Sequence, residues 1–196
     1  MTFLGTTILE VTEDSKKLLH NIALWWQKDA DFVPTNIDYH ITLYQAKYAL
    51  EDENNIIDTY MKYISQDTLP ASLKIDWLNS KWNYRGVRLK KDELLENLQD
   101  IIVMHSNRYR EGRIKSTYMK DRTWYTSKEN DMIDIFWYPF VYEAFVPHIT
   151  LGALNDDTVD VNDCNILQLD SIHIKSLSFV IQKEWDKQIV PLYFLN

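Results

Sequence analysis

One tetrapeptide, His-Ile-Thr-Leu, occurs twice in the chain, at residues 40–43 and 148–151. With 19 Ile, 13 Thr and 21 Leu in 196 residues, that triplet should follow a given histidine with a chance of about 0.0007. Two of the five histidines carry it, so the repetition is a structural signal rather than coincidence. Both copies lie in strand-like runs, Ile37–Tyr44 and Phe145–Leu154. Residues i and i+2 of a strand share a face. Each copy therefore projects its His and Thr together and turns Ile and Leu inward. A fold that accepts this chain must build two such strands from distant parts of the sequence and give each a core side and an open side.

The rest of the chain supplies elements to surround them. Phe3–Val11 reads as a strand, and Thr12–Lys28 as a helix with Thr12 as N-cap and Leu18, Leu19, Ile22 and Trp26 on one side. Glu51–Gln66 reads as a second helix along Ile56, Tyr60 and Ile64, and Asp92–His105 as a third, rich in leucine and isoleucine. Ser72–Asn79 and Tyr84–Leu89 read as paired strands, and Ala144–Leu154, Asp170–Gln182 and Ile189–Phe194 as further strands. This alternation points to an α+β or α/β sandwich. No Gly/Ser/Pro-rich linker divides it, so residues 1–196 are expected to form a single domain.

Composition narrows the function. A net charge of −8 disfavours a protein that grips long nucleic acid, where affinity comes from Lys and Arg neutralising phosphates. The one cysteine, Cys164, excludes an intrachain disulfide framework and fits a reducing compartment. No apolar run nears the roughly 20 residues of a membrane span, and Met1–Lys17 lacks the pattern of a signal peptide. A cytoplasmic monomer without membrane contact is expected. Residues 107–128 stand apart: seven basic and two acidic residues give +5 there and leave −13 on the remainder. Without apolar periodicity this segment reads as a long loop or loose hairpin. One reading makes it a lid for an anionic substrate, with Arg113, Arg122 and Trp124 as substrate-binding candidates; the other makes it a solvated excursion. Tyr44, two residues beyond Thr42, joins the substrate-binding candidates if its strand stays regular; the other reading makes it a core or rim tyrosine.

The paired motif has a chemical logic. Splitting a phosphodiester without a metal needs one group to take a proton from the attacking oxygen and another to give one to the leaving oxygen. Histidine serves both roles near neutral pH. Threonine hydroxyls donate to the non-bridging phosphate oxygens, where charge builds. No His/Cys/Asp/Glu cluster has metal spacing and no Gly-rich phosphate loop is present. His20 and His105 sit in helical stretches, and His173 has Lys175 rather than Thr at i+2.

These residues resemble the two-histidine (2H) phosphoesterase superfamily, which includes 2′-5′ RNA ligase-like proteins and cyclic nucleotide phosphodiesterases. The likeness spans almost the whole chain, including Phe145-Val146-Pro147-His148-Ile149-Thr150-Leu151-Gly152 with its proline before the second histidine. The resemblance implies an α+β bilobal fold, with two pseudo-symmetric sheet lobes and outer helices around a central groove. It also implies catalytic His40 and His148, phosphate-holding Thr42 and Thr150, and no metal or other cofactor. A small nucleotide or short oligonucleotide, 2′,5′-linked or a 2′,3′-cyclic phosphate, is the implied substrate. An RNA-end processing or ligase-type enzyme, or a nucleotide-binding module without turnover, are the alternatives. The departure from the family is Ser106–Tyr142, which is long.

Overall fold

A computed structural model of the protein describes residues 1–27, 32–35, 38–81, 84–110, 121–154, 170–184 and 186–195. Its strands are β1 (Thr2–Val11), β2 (Phe32–Pro34), β3 (His40–Ala49), β4 (Ser72–Lys81), β5 (Tyr84–Leu89), β6 (His148–Leu154), β7 (Ser171–Gln182) and β8 (Lys187–Phe194). Its helices are α1 (Glu13–Trp26), α2 (Glu53–Tyr63), α3 (Glu93–Ser106) and α4 (Ser127–Phe136). The architecture is α+β, as the sequence implied.

α1, α3 and α4 each begin where a side chain satisfies one of the first free N–H groups. The Thr12 hydroxyl accepts from Ser15 N–H at 3.4 Å at the head of α1, and Asp92 Oδ1 accepts from Leu95 N–H at 2.8 Å at the head of α3. α4 opens on a capping box, in which Thr126 N–H donates to Glu129 Oε2 at 2.8 Å and Glu129 N–H donates to Thr126 Oγ1 at 3.2 Å. α4 and the three-residue β2 were not expected from the sequence. Ser127–Phe136 buries only Glu129 and Ile133 fully, too thin a stripe to show as periodicity. β2 is too short to alternate visibly.

The strands follow the path β2-β6-β5-β4-β7-β1-β3, with β8 beside β7, and all of these pairs are antiparallel. β4 joins two halves. Its first residues, Ser72–Lys74, pair with β7, while Ile75–Lys81 pair with β5. One half is thus β3-β1-β7-β8 and the other β2-β6-β5-β4. α1 lies against β2 and β6, whereas α3 lies against β3 and contacts α2. The side chains that face these helices are fully buried: Leu19 and Trp26 of α1, Leu98 and Ile102 of α3, and Ile41, Leu43, Ile149 and Leu151 of the motif strands. β3 and β6 come side by side where the two halves meet, and each begins with its motif histidine.

Candidate active site

The two motif strands are built alike. In β3, His40 and Thr42 are half-buried while Ile41 and Leu43 are fully buried; in β6, His148 and Thr150 are half-buried while Ile149 and Leu151 are fully buried. Each strand then carries a β-bulge at the motif leucine. Ile8 pairs with Thr42 and Thr7 with Tyr44, which leaves Leu43 without a partner in register. Gly86 pairs with Thr150 and Arg85 with Gly152, which does the same to Leu151. A bulge inserts one residue and reverses which face the following residues occupy. Both extra residues are held from outside the ladder. Gln99 Nε2 of α3 donates to the Leu43 carbonyl at 3.2 Å, and Thr35 N–H donates to the Leu151 carbonyl at 2.8 Å.

The bulge explains the placement of Tyr44. A regular strand would set it on the His40 face, but the extra residue turns it into the core, where it is fully buried. Its hydroxyl donates to Asn107 Oδ1 at 3.2 Å and to the Phe136 carbonyl at 3.3 Å. Tyr44 is therefore a core residue that ties β3 to the end of α4, and it does not line the groove. Its counterpart in β6 is Gly152, also buried. A Cβ there would stand 2.4 Å from the Phe32 ring and from the Val33 carbonyl oxygen, so only glycine lets β2 approach β6 this closely.

The histidines are oriented in the same way. His40 Nδ1 lies 2.7 Å from the Asp38 carbonyl oxygen and His148 Nδ1 lies 2.9 Å from that of Val146, each two residues upstream. A carbonyl only accepts, so Nδ1 carries the proton in both rings. Phe140 meets the His148 ring edge-on, with centroids 6.1 Å apart. Burial lowers the His40 pKa below the usual histidine value, and the hydrogen bond to Asp38 offsets this in part. Their cross-strand partners differ. His40 sits opposite Glu10, whose carboxylate accepts from the Ser176 and Ser178 hydroxyls; His148 sits opposite Arg88, which pairs with Asp76 at 3.4 Å.

All four motif residues line one groove of about 380 Å³, together with Val33, Pro34, Thr35, Asp38, Tyr84, Gly152 and Ala153. That volume suits a small organic ligand. Two imidazoles held through Nδ1 and two hydroxyls on one groove can pass protons and hold an anion. Among the described residues, no group of His, Cys, Asp or Glu is arranged to hold a metal ion.

The basic segment contributes nothing described to this lining. Arg113 lies outside the described residues. Arg122 pairs with Asp134 of α4, and the exposed Trp124 donates from Nε1 to Asp121 Oδ2 at 2.9 Å. Arg110 lies over the Trp137 ring at 3.9 Å, Arg108 donates to the hydroxyls of Thr59 and Tyr109, and Lys128 pairs with Glu143 at 2.8 Å. These cations fasten the described ends of the segment to their neighbours. Sequence reasoning missed Val33, Tyr84 and Ala153, whose approach to the groove depends on strand pairing. It also missed the i−2 carbonyls, for which Pro147 was the one local cue, since it holds Val146 extended.

No family model matches the chain, and no curated protein matches it. Solved structures do. LigT of E. coli in its apo form aligns with a TM-score of 0.61 at 15% identity, covering 99% of this chain and 96% of LigT. LigT complexed with 3′-AMP aligns at 0.57 and 14% identity over 98% and 95% of the two chains. A structure described as a phosphoesterase aligns at 0.57 and 16% identity over 100% and 98%. The resemblance read from the sequence thus holds at the level of the fold.

Proposed function

We propose that the groove cleaves phosphodiester bonds of small nucleotides, with His40 and His148 exchanging protons and Thr42 and Thr150 holding the phosphate. One observation carries this reading: two histidines, each locked through Nδ1 to the carbonyl two residues upstream and each followed by a groove-facing threonine, line one groove. LigT, of like fold, was crystallised with phosphate and with 3′-AMP, which supports a nucleotide substrate.

In a hydrolytic cycle, water attacks phosphorus from the side opposite the leaving oxygen. His40, held neutral by burial, takes the water proton on Nε2 as the new P–O bond forms. His148 gives its Nε2 proton to the sugar oxygen as the old P–O bond breaks. The threonine hydroxyls donate to the two non-bridging oxygens, whose charge grows in the transition state. A second proton exchange with solvent resets the pair.

The test is a panel of 2′,5′-linked, 3′,5′-linked and 2′,3′-cyclic nucleotides incubated in EDTA, with products separated by chromatography. Turnover of at least one class is expected. His40→Ala and His148→Ala should each lower kcat by roughly 10²–10⁴-fold, the usual contribution of a positioned acid or base. Thr42→Ala and Thr150→Ala should cost less, each removing one hydrogen bond of several. A histidine variant that kept the wild-type rate would remove that residue from the mechanism. Binding without turnover across the whole panel would favour a nucleotide-binding module.

A further inference from the structure

The bulge at Leu151 has a second effect on β6. Beyond it, Gly152 turns to the core and Ala153 turns to the groove. Ala153 pairs with Val33 of β2 on one side and with Tyr84 of β5 on the other. Directly paired residues on neighbouring strands project to the same face. Val33, Ala153 and Tyr84 therefore form a row across three strands, and all three line the groove. The flanking members are apolar yet open to solvent, Tyr84 at 53% and Val33 at 52% exposure. The middle one is only a methyl group. The result is a shallow slot with an aromatic wall, a small floor and an aliphatic wall.

The slot is sized for one planar group. Strands stand about 4.8 Å apart, so the backbones of Val33 and Tyr84 are separated by roughly 10 Å. A ring stacked between two side chains needs roughly 3.5–4 Å on each side. It also sits at a definite distance from the reacting centre. Ala153 follows Thr150 by three residues, at most about 10 Å along the strand and less across a bulge. A sugar spans such a gap between a phosphate and its base.

We propose that Val33, Ala153 and Tyr84 seat the base of a nucleotide whose phosphate lies between His40 and His148. The proposal rests on the reading of the groove as a phosphodiester site and names which end of the substrate the protein recognises. The base stacks on the Tyr84 ring above the Ala153 methyl, with Val33 closing the other side. Recognition by stacking accepts every base, because each offers a π-face. The enzyme is then selective for nucleoside phosphates over sugar phosphates, without a strict base preference.

The experiment compares a nucleoside 2′,3′-cyclic phosphate with the 2′,3′-cyclic phosphate of 1-O-methylribose, which has the same reacting centre and no base. In parallel, calorimetric titration compares a nucleoside 3′-monophosphate with ribose 3-phosphate, a readout that does not need turnover. Wild-type protein should prefer the base-bearing member of each pair. Tyr84→Ala should shrink that preference by roughly 5- to 150-fold, the range for losing one base–aromatic stack, and Tyr84→Phe should keep it. Ala153→Leu, which fills the floor, should shrink it as well. Equal handling of the two members by wild-type protein, or a preference unchanged in both Tyr84→Ala and Ala153→Leu, overturns the seat while leaving phosphodiester cleavage standing. Base-dependent binding that fails in Tyr84→Ala, with no turnover of any substrate, upholds the seat and overturns the enzymatic reading.

Discussion

His40 and His148 carry the same tetrapeptide in different surroundings, and the difference predicts a pH response. Burial holds the His40 pKa below its ordinary value of about 6.5. As the base of the proposed cycle it works only when neutral, so the acid limb of kcat/KM should fall below about pH 6.5. In His40→Ala the residual activity should lose that limb. An acid limb well above 6.5 would assign the base role elsewhere. The same shift bears on stability. The unfolded chain binds a proton at this histidine before the folded protein does, so stability should be unaffected above about pH 6.5 and decline as the pH falls toward the lowered folded value. At this scale the sequence was most informative. A period of two turned the motif His and Thr to one side and Ile and Leu to the other, and no other chemistry was needed to foresee it. For Tyr44 the core reading holds, because the period of two breaks at a bulge that nothing in His-Ile-Thr-Leu-Tyr announces.

Between elements, the bulges are held by partners from other parts of the fold. Gln99, fully buried on α3, donates to the Leu43 and Phe140 carbonyls and accepts from Tyr142 N–H. It therefore joins α3, the motif end of β3 and the approach to β6. Gln99→Leu keeps the volume and strands those backbone groups. The expected loss is about 1–3 kcal/mol per unsatisfied group, read as a lower denaturant midpoint. kcat should fall with it, because the bulge fixes the line of His40 and Thr42. A variant with wild-type midpoint and kcat would show that the clamp is dispensable. The basic segment makes the opposite prediction. Arg122 is paired with Asp134 on the surface, so Arg122→Ala should cost no more than about 1 kcal/mol and leave KM unchanged. A several-fold rise in KM would restore a role in substrate binding. The sequence showed the charge of this segment but not its use, since a run of cations looks the same whether it grips an anion or fastens to acidic and aromatic neighbours.

Over the whole molecule, the balance of charge bears on how the proposed substrate would arrive. The protein carries −8, and the described residues lining the groove include Asp38 but no Lys or Arg. In the proposed reading an anionic nucleotide is held by hydroxyls, imidazoles and stacking rather than by paired cations, and it approaches a body of its own sign. Like-sign repulsion weakens as salt shortens the screening length, which is about 10 Å at 0.1 M. KM for a dianionic nucleotide should accordingly stay level or fall between about 0.05 and 0.5 M salt, whereas a site built on Lys and Arg would show KM climbing steeply over that range. Steady-state kinetics at several salt concentrations, repeated with Arg113→Ala, decides between the two. A KM that climbs with salt in the wild type and flattens in that variant would bring the +5 segment back into the binding site and make the groove as described only part of it.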